Sequence, residues 1–150
     1  MNRWPKAGFV IAAVFIGAQG ARSVPTNPPI DRDLSVPPQV KAILRRACYD
    51  CHSNETQWPW YSRIAPLSWL IRREVNRGRA RLNFSEWSEY ASDPGTASEK
   101  LEKIAQAVTR GDMAPWYYQV LHPCARLTMA QRDTLHAWVT QEALALPPSR

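Results

Sequence analysis

The sequence contains no internal repeat and no stretch in which β-branched residues alternate with polar ones, so nothing in it reads as a strand. It carries no recognisable nucleic-acid module, although its formal charge is +6, so nucleic acid is a weak reading of the positive balance. Its apolar stretch from Ala7 to Ala18 is shorter than the roughly 20 residues a spanning helix needs. Cysteine is scarce, with three in 150 residues, and two of the three stand close together. The chain is long enough for one domain with a real core and too short for two.

What is present is helical. Val40, Ile43, Leu44, Ala47 and Cys48 lie at i, i+3, i+4, i+7 and i+8, which predicts a helix over 37–51 with Pro37 and Pro38 in its first turn. Leu67, Leu70, Ile71 and Val75 predict a second over 66–77, stopped by Gly78. A third is expected over 97–110, with Thr96 and Glu99 at capping-box spacing and Gly111 after its end. A fourth is expected over 129–144, capped by Thr128 and Gln131, with Glu142 interrupting an otherwise apolar face. The aromatic stretches Trp58-Pro59-Trp60-Tyr61 and Pro115-Trp116-Tyr117-Tyr118 read as irregular connections, and residues 83–95 as loop or short helix. Seven tryptophans suit a chain that must wall a large flat apolar ligand, though they would also suit an ordinary core.

The N-terminus has the form of a secretory signal: Arg3 and Lys6, then an uncharged apolar stretch, then small residues. Ala18 and Gly20 suit the −3 and −1 positions of a cleavage site. Residues 7–26, with Arg22 near the end, also suit an uncleaved anchor, in which case Arg3 and Lys6 stay on the cytoplasmic side. Residues 1–21 are therefore read as signal or anchor, 22–36 as a Pro-rich linker and 37–146 as the domain. The expected location is periplasmic, either soluble or tethered to the inner membrane.

The chemistry lies in Cys48-Tyr49-Asp50-Cys51-His52, a C-x-x-C-H. Two thiols three residues apart at a helix end can each add to one vinyl group of a haem, and the next residue places an imidazole under the iron. A redox C-x-x-C would expect a βαβ pattern, which is missing. Zinc held by Cys48, Cys51, His52 and Cys124 is a second alternative, because three thiolates and an imidazole complete a tetrahedral set. Met113, between Gly111 and Pro115, is the leading candidate for the opposite axial ligand, with His122 and His136 as alternatives and Met129 read as packing. Trp58, Trp60, Tyr61, Trp69 and Trp116 are candidates to shield the porphyrin. One or two of Arg72, Arg73, Arg77, Arg79 and Arg81 could pair with haem propionates, against the plainer reading of a solvated basic face.

Several segments resemble a known family. Asn27-Pro28-Pro29, Cys48-Tyr49-Asp50-Cys51-His52-Ser53-Asn54, Trp58-Pro59-Trp60-Tyr61, Ala65-Pro66, Leu82-Asn83-Phe84-Ser85-Glu86-Trp87, Met113-Ala114-Pro115-Trp116-Tyr117-Tyr118 and Leu121-His122-Pro123 are similar to the bacterial haem-binding domain proteins of the cytochrome c superfamily. The resemblance implies an all-α, cytochrome c-like domain around one covalent haem c, exported and often membrane-tethered. It implies attachment through Cys48 and Cys51, His52 as proximal ligand and Met113 as distal ligand. Ala114 departs from the family's first proline in Met-Pro-Pro-Trp, and Cys124 is a thiol the pattern does not contain; it reads as a free buried cysteine or as a link between two copies.

The expected function is one-electron transfer to a redox partner protein, without enzymatic turnover. The alternatives are a haem-based sensor in which Met113 is absent or displaced, a peroxidase-like enzyme using His122 or His136, and a zinc-held structural domain.

Overall fold

A computed structural model describes residues 4–20 and 25–147 of the chain. The expected cleavage boundary at residue 21, together with Arg3 and Arg22, lies outside the described residues. Among those residues the fold is all-helical, and the one β-type contact is an isolated parallel bridge between Arg32 and Glu86.

Helix α1 spans Trp4–Gly20 and its side chains from Lys6 to Gly17 stand exposed. Among the described residues no helix is long and apolar enough to cross a membrane. The side-chain amide of Gln19 ties its end to the domain, donating to the Ala65 carbonyl at 3.3 Å and accepting from the Ala65 N–H at 3.1 Å. The described part of the segment read as linker, residues 25–36, lies outside any helix. From Asn27 to Leu34 it is laid on the domain: Asn27 donates to the Thr56 carbonyl, Leu34 N–H donates to the Phe84 carbonyl at 2.9 Å, and the Leu34 side chain is buried in the core.

The helix expected over 37–51 is broken in two. Helix α2 covers Pro38–Ala47 and α3 Tyr49–His52, with Cys48 at φ −126°, ψ −37° between them. The Cys48 carbonyl accepts the N–H of Cys51 at 3.1 Å and of His52 at 2.9 Å, so the chain makes one more turn in a new direction. A 3₁₀ turn at Trp60–Arg63 leads to α4, Leu67–Arg81. Gly78 does not stop this helix, as the sequence suggested; it lies inside it, against the backbone of Cys51.

Helix α5, Trp87–Ala91, is a short helix within the stretch 83–95, where a loop or short helix is expected. Helix α6, Pro94–Arg110, begins three residues earlier than expected. The Asp93 carboxylate caps it by accepting the Thr96 N–H at 2.9 Å, and Pro94 takes the first position, where no N–H is needed. Gly111 ends it at φ 72°, a conformation that a side chain would strain. Helix α7, Trp116–Leu121, forms where an irregular connection was expected, and a 3₁₀ turn at Pro123–Ala125 follows it. Helix α8, Met129–Ala145, has the expected capping box of Thr128 and Gln131. Glu142, the break in its apolar face, accepts from the Trp138 indole N–H at 3.2 Å.

The core lies where α2, α6 and α8 meet, around Leu44, Leu101, Leu135 and Trp138, with Tyr49 and Phe84 closing one side. Burial of these stripes is the main stabilising contribution. The short α3 packs between this core and α4.

Candidate functional site

Cys48 and Cys51 are both free thiols, each partly buried. Cys48 packs against the core, and burial, with Cys51 adding to it, pushes its thiol up to about 12. Burial also pushes Cys51 up to about 11, reinforced by Asp50 and Glu74 and opposed by Arg79. His52 follows on the same turn and is buried.

The His52 Nδ1 lies 3.1 Å from the Leu82 carbonyl. A carbonyl can only accept, so Nδ1 carries the proton and Nε2 keeps its lone pair. Burial lowers the imidazole below its usual range, so the neutral form is favoured. The ring also meets Phe84 edge-on, with centroids 6.5 Å apart. Leu82 sits just past the end of α4, so this helix sets the height of the carbonyl that orients the ring. Gly78 lets α4 come close enough: a Cβ there would lie 2.2 Å from the Cys51 carbonyl oxygen.

The residues after the motif are held by buried polar contacts. The Ser53 hydroxyl donates to the Tyr49 carbonyl at 2.8 Å. The Asn54 N–H donates to the Ser85 hydroxyl, its side-chain amide donates to the Pro29 carbonyl and Glu86, and its oxygen accepts from Asn83. Arg79 donates to the Ser53 carbonyl at 2.8 Å and to Thr56 and Asn27 at 2.9 Å each, which commits this arginine to the protein's own groups. Tyr49 faces the other way, stacked on Phe84 at 5.2 Å and donating to Asp33 at 2.7 Å.

On the opposite flank the motif meets α7. The Tyr118 hydroxyl donates to the Asp50 carboxylate, whose second oxygen accepts the Gln57 N–H at 2.8 Å. Burial, then Asp50, drives the Tyr118 phenol far above its usual range. Tyr118 stacks on His122 at 4.2 Å, and His122 Nε2 shares a 2.6 Å hydrogen bond with the Tyr61 hydroxyl. Arg45, Arg46, Asp50, Trp58, Tyr118, His122 and Cys124 border a cleft of about 600 Å³ beside them.

The structure thus brings Cys48, Cys51 and His52 onto one turn, and Asp50, Tyr61, Tyr118 and His122 into one chain of contacts. Trp58 donates its indole N–H to Asn27 and lies at the cleft. Trp60 and Trp116 stand in solvent, 75% and 77% exposed, and do not border it. Met113 is half-buried between α6 and α7. Its segment leads directly into Tyr117 and Tyr118, which lie close enough to Cys51 for a charge there to raise both phenols. His136 is engaged elsewhere, its Nε2 3.0 Å from the Thr109 hydroxyl. Met129 is exposed rather than packed, and Cys124 is exposed rather than buried.

Among the described residues no group of three or more His, Cys, Asp or Glu side chains is placed to hold a metal ion, so the zinc set of Cys48, Cys51, His52 and Cys124 is not assembled. Asp50, Leu82 and Tyr118 escaped sequence reasoning. Nothing marked Leu82 because it acts through its carbonyl, while the Tyr117-Tyr118 pair was visible but carried no indication of its partner.

The donor set fits an iron porphyrin. It offers two unpaired thiols one turn apart and a neutral imidazole whose Nδ1–H is held by a backbone carbonyl, as in histidines that bind a metal through the other nitrogen. An all-helical domain with such a turn carries the groups that a haem-binding protein needs. Residues 7–141 match the family model described as a haem-binding domain, and the chain belongs to that family. No curated protein and no solved structure matches the chain.

Proposed function

We propose that the chain is an exported c-type monohaem protein that carries single electrons, with Cys48 and Cys51 in thioether bonds and His52 and Met113 as axial ligands. The observation that carries the reading is the Leu82 carbonyl on His52 Nδ1, set beside two uncommitted thiols. When bound, the haem supplies an iron that alternates between two oxidation states.

The remaining work belongs to the protein. Leu82 fixes the tautomer and rotation of His52, and Gly78 sets the distance between α4 and the attachment turn. Met113 comes from the α6–α7 loop, and the contacts of α7 with Asp50 bring that segment toward the turn. A thioether opposite an imidazole raises the reduction potential and suits electron transfer. The net charge of +6 steers an acidic redox partner, and salt weakens that encounter. The chain turns over no substrate of its own. Helix α1 serves as export signal or membrane attachment, and the domain faces the periplasm.

The test is expression with haem-attachment machinery, followed by intact mass and a denaturing gel stained for haem. The expected result is one haem per chain, surviving denaturation, with Cys51→Ala reducing the yield sharply. Met113→Ala is expected to remove the long-wavelength sulfur-to-iron absorption band and lower the potential. A matured chain with no added mass overturns the attachment. Rapid binding of carbon monoxide to the reduced protein, with no preceding ligand loss, overturns the Met113 assignment and favours a sensor.

A further inference from the structure

The first turn of α4 presents its apolar residues outward. Leu67, Trp69 and Leu70 are 43%, 46% and 51% exposed, while Ser68 between them is buried. A helix packed on a core normally shows the reverse pattern, and a contiguous exposed patch of large apolar groups marks an interaction site.

Its position indicates what it meets. Ala65, two residues before this turn, is held by the Gln19 amide at the end of α1. Helix α1 exposes Phe9, Val10, Ile11, Val14, Phe15 and Ile16 and contains no acidic residue. The apolar surface of α1 therefore ends beside that of α4. Arg63, before Leu67 in the chain, and Arg73, after Leu70, stand exposed, with no ion-pair partner among the described residues. Glu74, the nearest acid beyond them, is already engaged by Arg77 and Tyr117. Tryptophan beside arginine next to an apolar helix is the composition of a membrane interface. A protein partner on α4 would leave α1 uncovered, whereas one lipid surface covers both.

We propose that Leu67, Trp69 and Leu70 form a foot that seats in an anionic bilayer beside α1, with Arg63 and Arg73 at the headgroups. The domain then rides on the membrane in a fixed orientation rather than on a free stalk. This rests on the reading of α1 as the membrane attachment.

The test uses the full chain as purified, in vesicles of phosphatidylglycerol and phosphatidylethanolamine containing a lipid with a diazirine on its acyl chain. After photolysis, peptide mapping is expected to find lipid adducts in α1 and at residues 67–70. Leu67→Ser with Leu70→Ser should cut the adducts at 67–70 several-fold and leave those in α1 unchanged. Replacing phosphatidylglycerol with phosphatidylcholine should also cut them several-fold. Adducts in α1 with none at 67–70 overturn the foot alone. Failure of the chain to associate with vesicles overturns the foot and the membrane reading of α1 together. Chain-to-chain crosslinks at 67–70 without lipid adducts assign the face to a second copy and overturn the proposal.

Discussion

Tyr118 donates its hydroxyl proton to the carboxylate of Asp50, the residue immediately before the second cysteine of the motif. This bond joins α7 to the Cys48–His52 turn across 68 positions of sequence. It is the most direct tie between the segment that carries Met113 and the turn that carries His52. Asp50 is also held by the Gln57 N–H, so the carboxylate is oriented from two sides.

Tyr118→Phe is expected to lower the unfolding free energy by roughly 1.5 kcal/mol, the lower end for a bond to a charged acceptor, because Gln57 still satisfies one oxygen. Tyr117→Phe, at an exposed position, should stay within about 0.5 kcal/mol. Urea unfolding of the two variants checks the difference. Equal losses would mean that the Asp50 bond contributes nothing beyond an ordinary surface contact.

Gly78 and Gly95 make a paired test of packing against propensity. Gly78 lies in the interior of α4, where Ala is favoured by about 1 kcal/mol, and Gly95 in the first turn of α6, where the preference is smaller. At Gly95 the nearest atoms to an added Cβ are those of Asp93 at 3.6 Å, so Gly95→Ala should be neutral or stabilising. At Gly78 the added Cβ falls 2.2 Å from the Cys51 carbonyl oxygen, which is backbone and cannot swing aside. Gly78→Ala should therefore destabilise by about 2 kcal/mol or more. Thermal unfolding of both reads the sign, and a stabilised Gly78→Ala would show that α4 does not press on the Cys48–His52 turn.

The same glycine shows what the sequence could and could not convey. Periodicity located the helices built on Leu44, Leu101 and Leu135, because a 3.6-residue stripe is a local property that survives into the fold. The capping box at Thr128 and the stop at Gly111 were legible for the same reason. Gly78 was read as a stop because a glycine late in a helix usually is one; its actual cause, a neighbouring backbone 27 positions earlier, leaves no local trace. The break at Cys48 was hidden because α2 and α3 share an apolar pattern across it. The Cys48, Cys51 and His52 constellation was visible at once, since covalent spacing is a one-dimensional signal. The supports from Leu82 and Tyr118 come from distant segments and had to be seen in three dimensions.

Asn54 should be among the costliest polar residues to remove. It is 3% exposed and connects the Pro29 carbonyl, Glu86 and Asn83 through its side chain. Asn54→Ala strips buried partners of their bonds at once, so a loss of roughly 2–4 kcal/mol is expected. Hydrogen exchange should rise at the N–H groups of Arg32 and Leu34, which lie downstream of Pro29 on the docked arm. Unchanged exchange there would show that the arm is held without Asn54.

The three cysteines should separate by reactivity, in an order that burial sets. The thiolate is the form that alkylates, and at pH 8 a thiol at about 12 holds roughly one part in ten thousand as thiolate, one at about 11 roughly one in a thousand. In chain produced without haem attachment, iodoacetamide should therefore label exposed Cys124 first, Cys51 far more slowly and Cys48 last. Each rise of one pH unit should speed the two slow sites about tenfold, because it is deprotonation that limits them. Guanidinium should erase the order, since unfolding removes the burial that sets it. Equal rates in the folded chain would show that Cys48 and Cys51 are open to solvent. Matured protein in guanidinium then gives the decisive contrast: sulfurs consumed in thioether bonds stay unlabelled after unfolding, while Cys124 reacts as a free thiol. Labelling of all three would separate haem binding by the domain from covalent attachment through this motif.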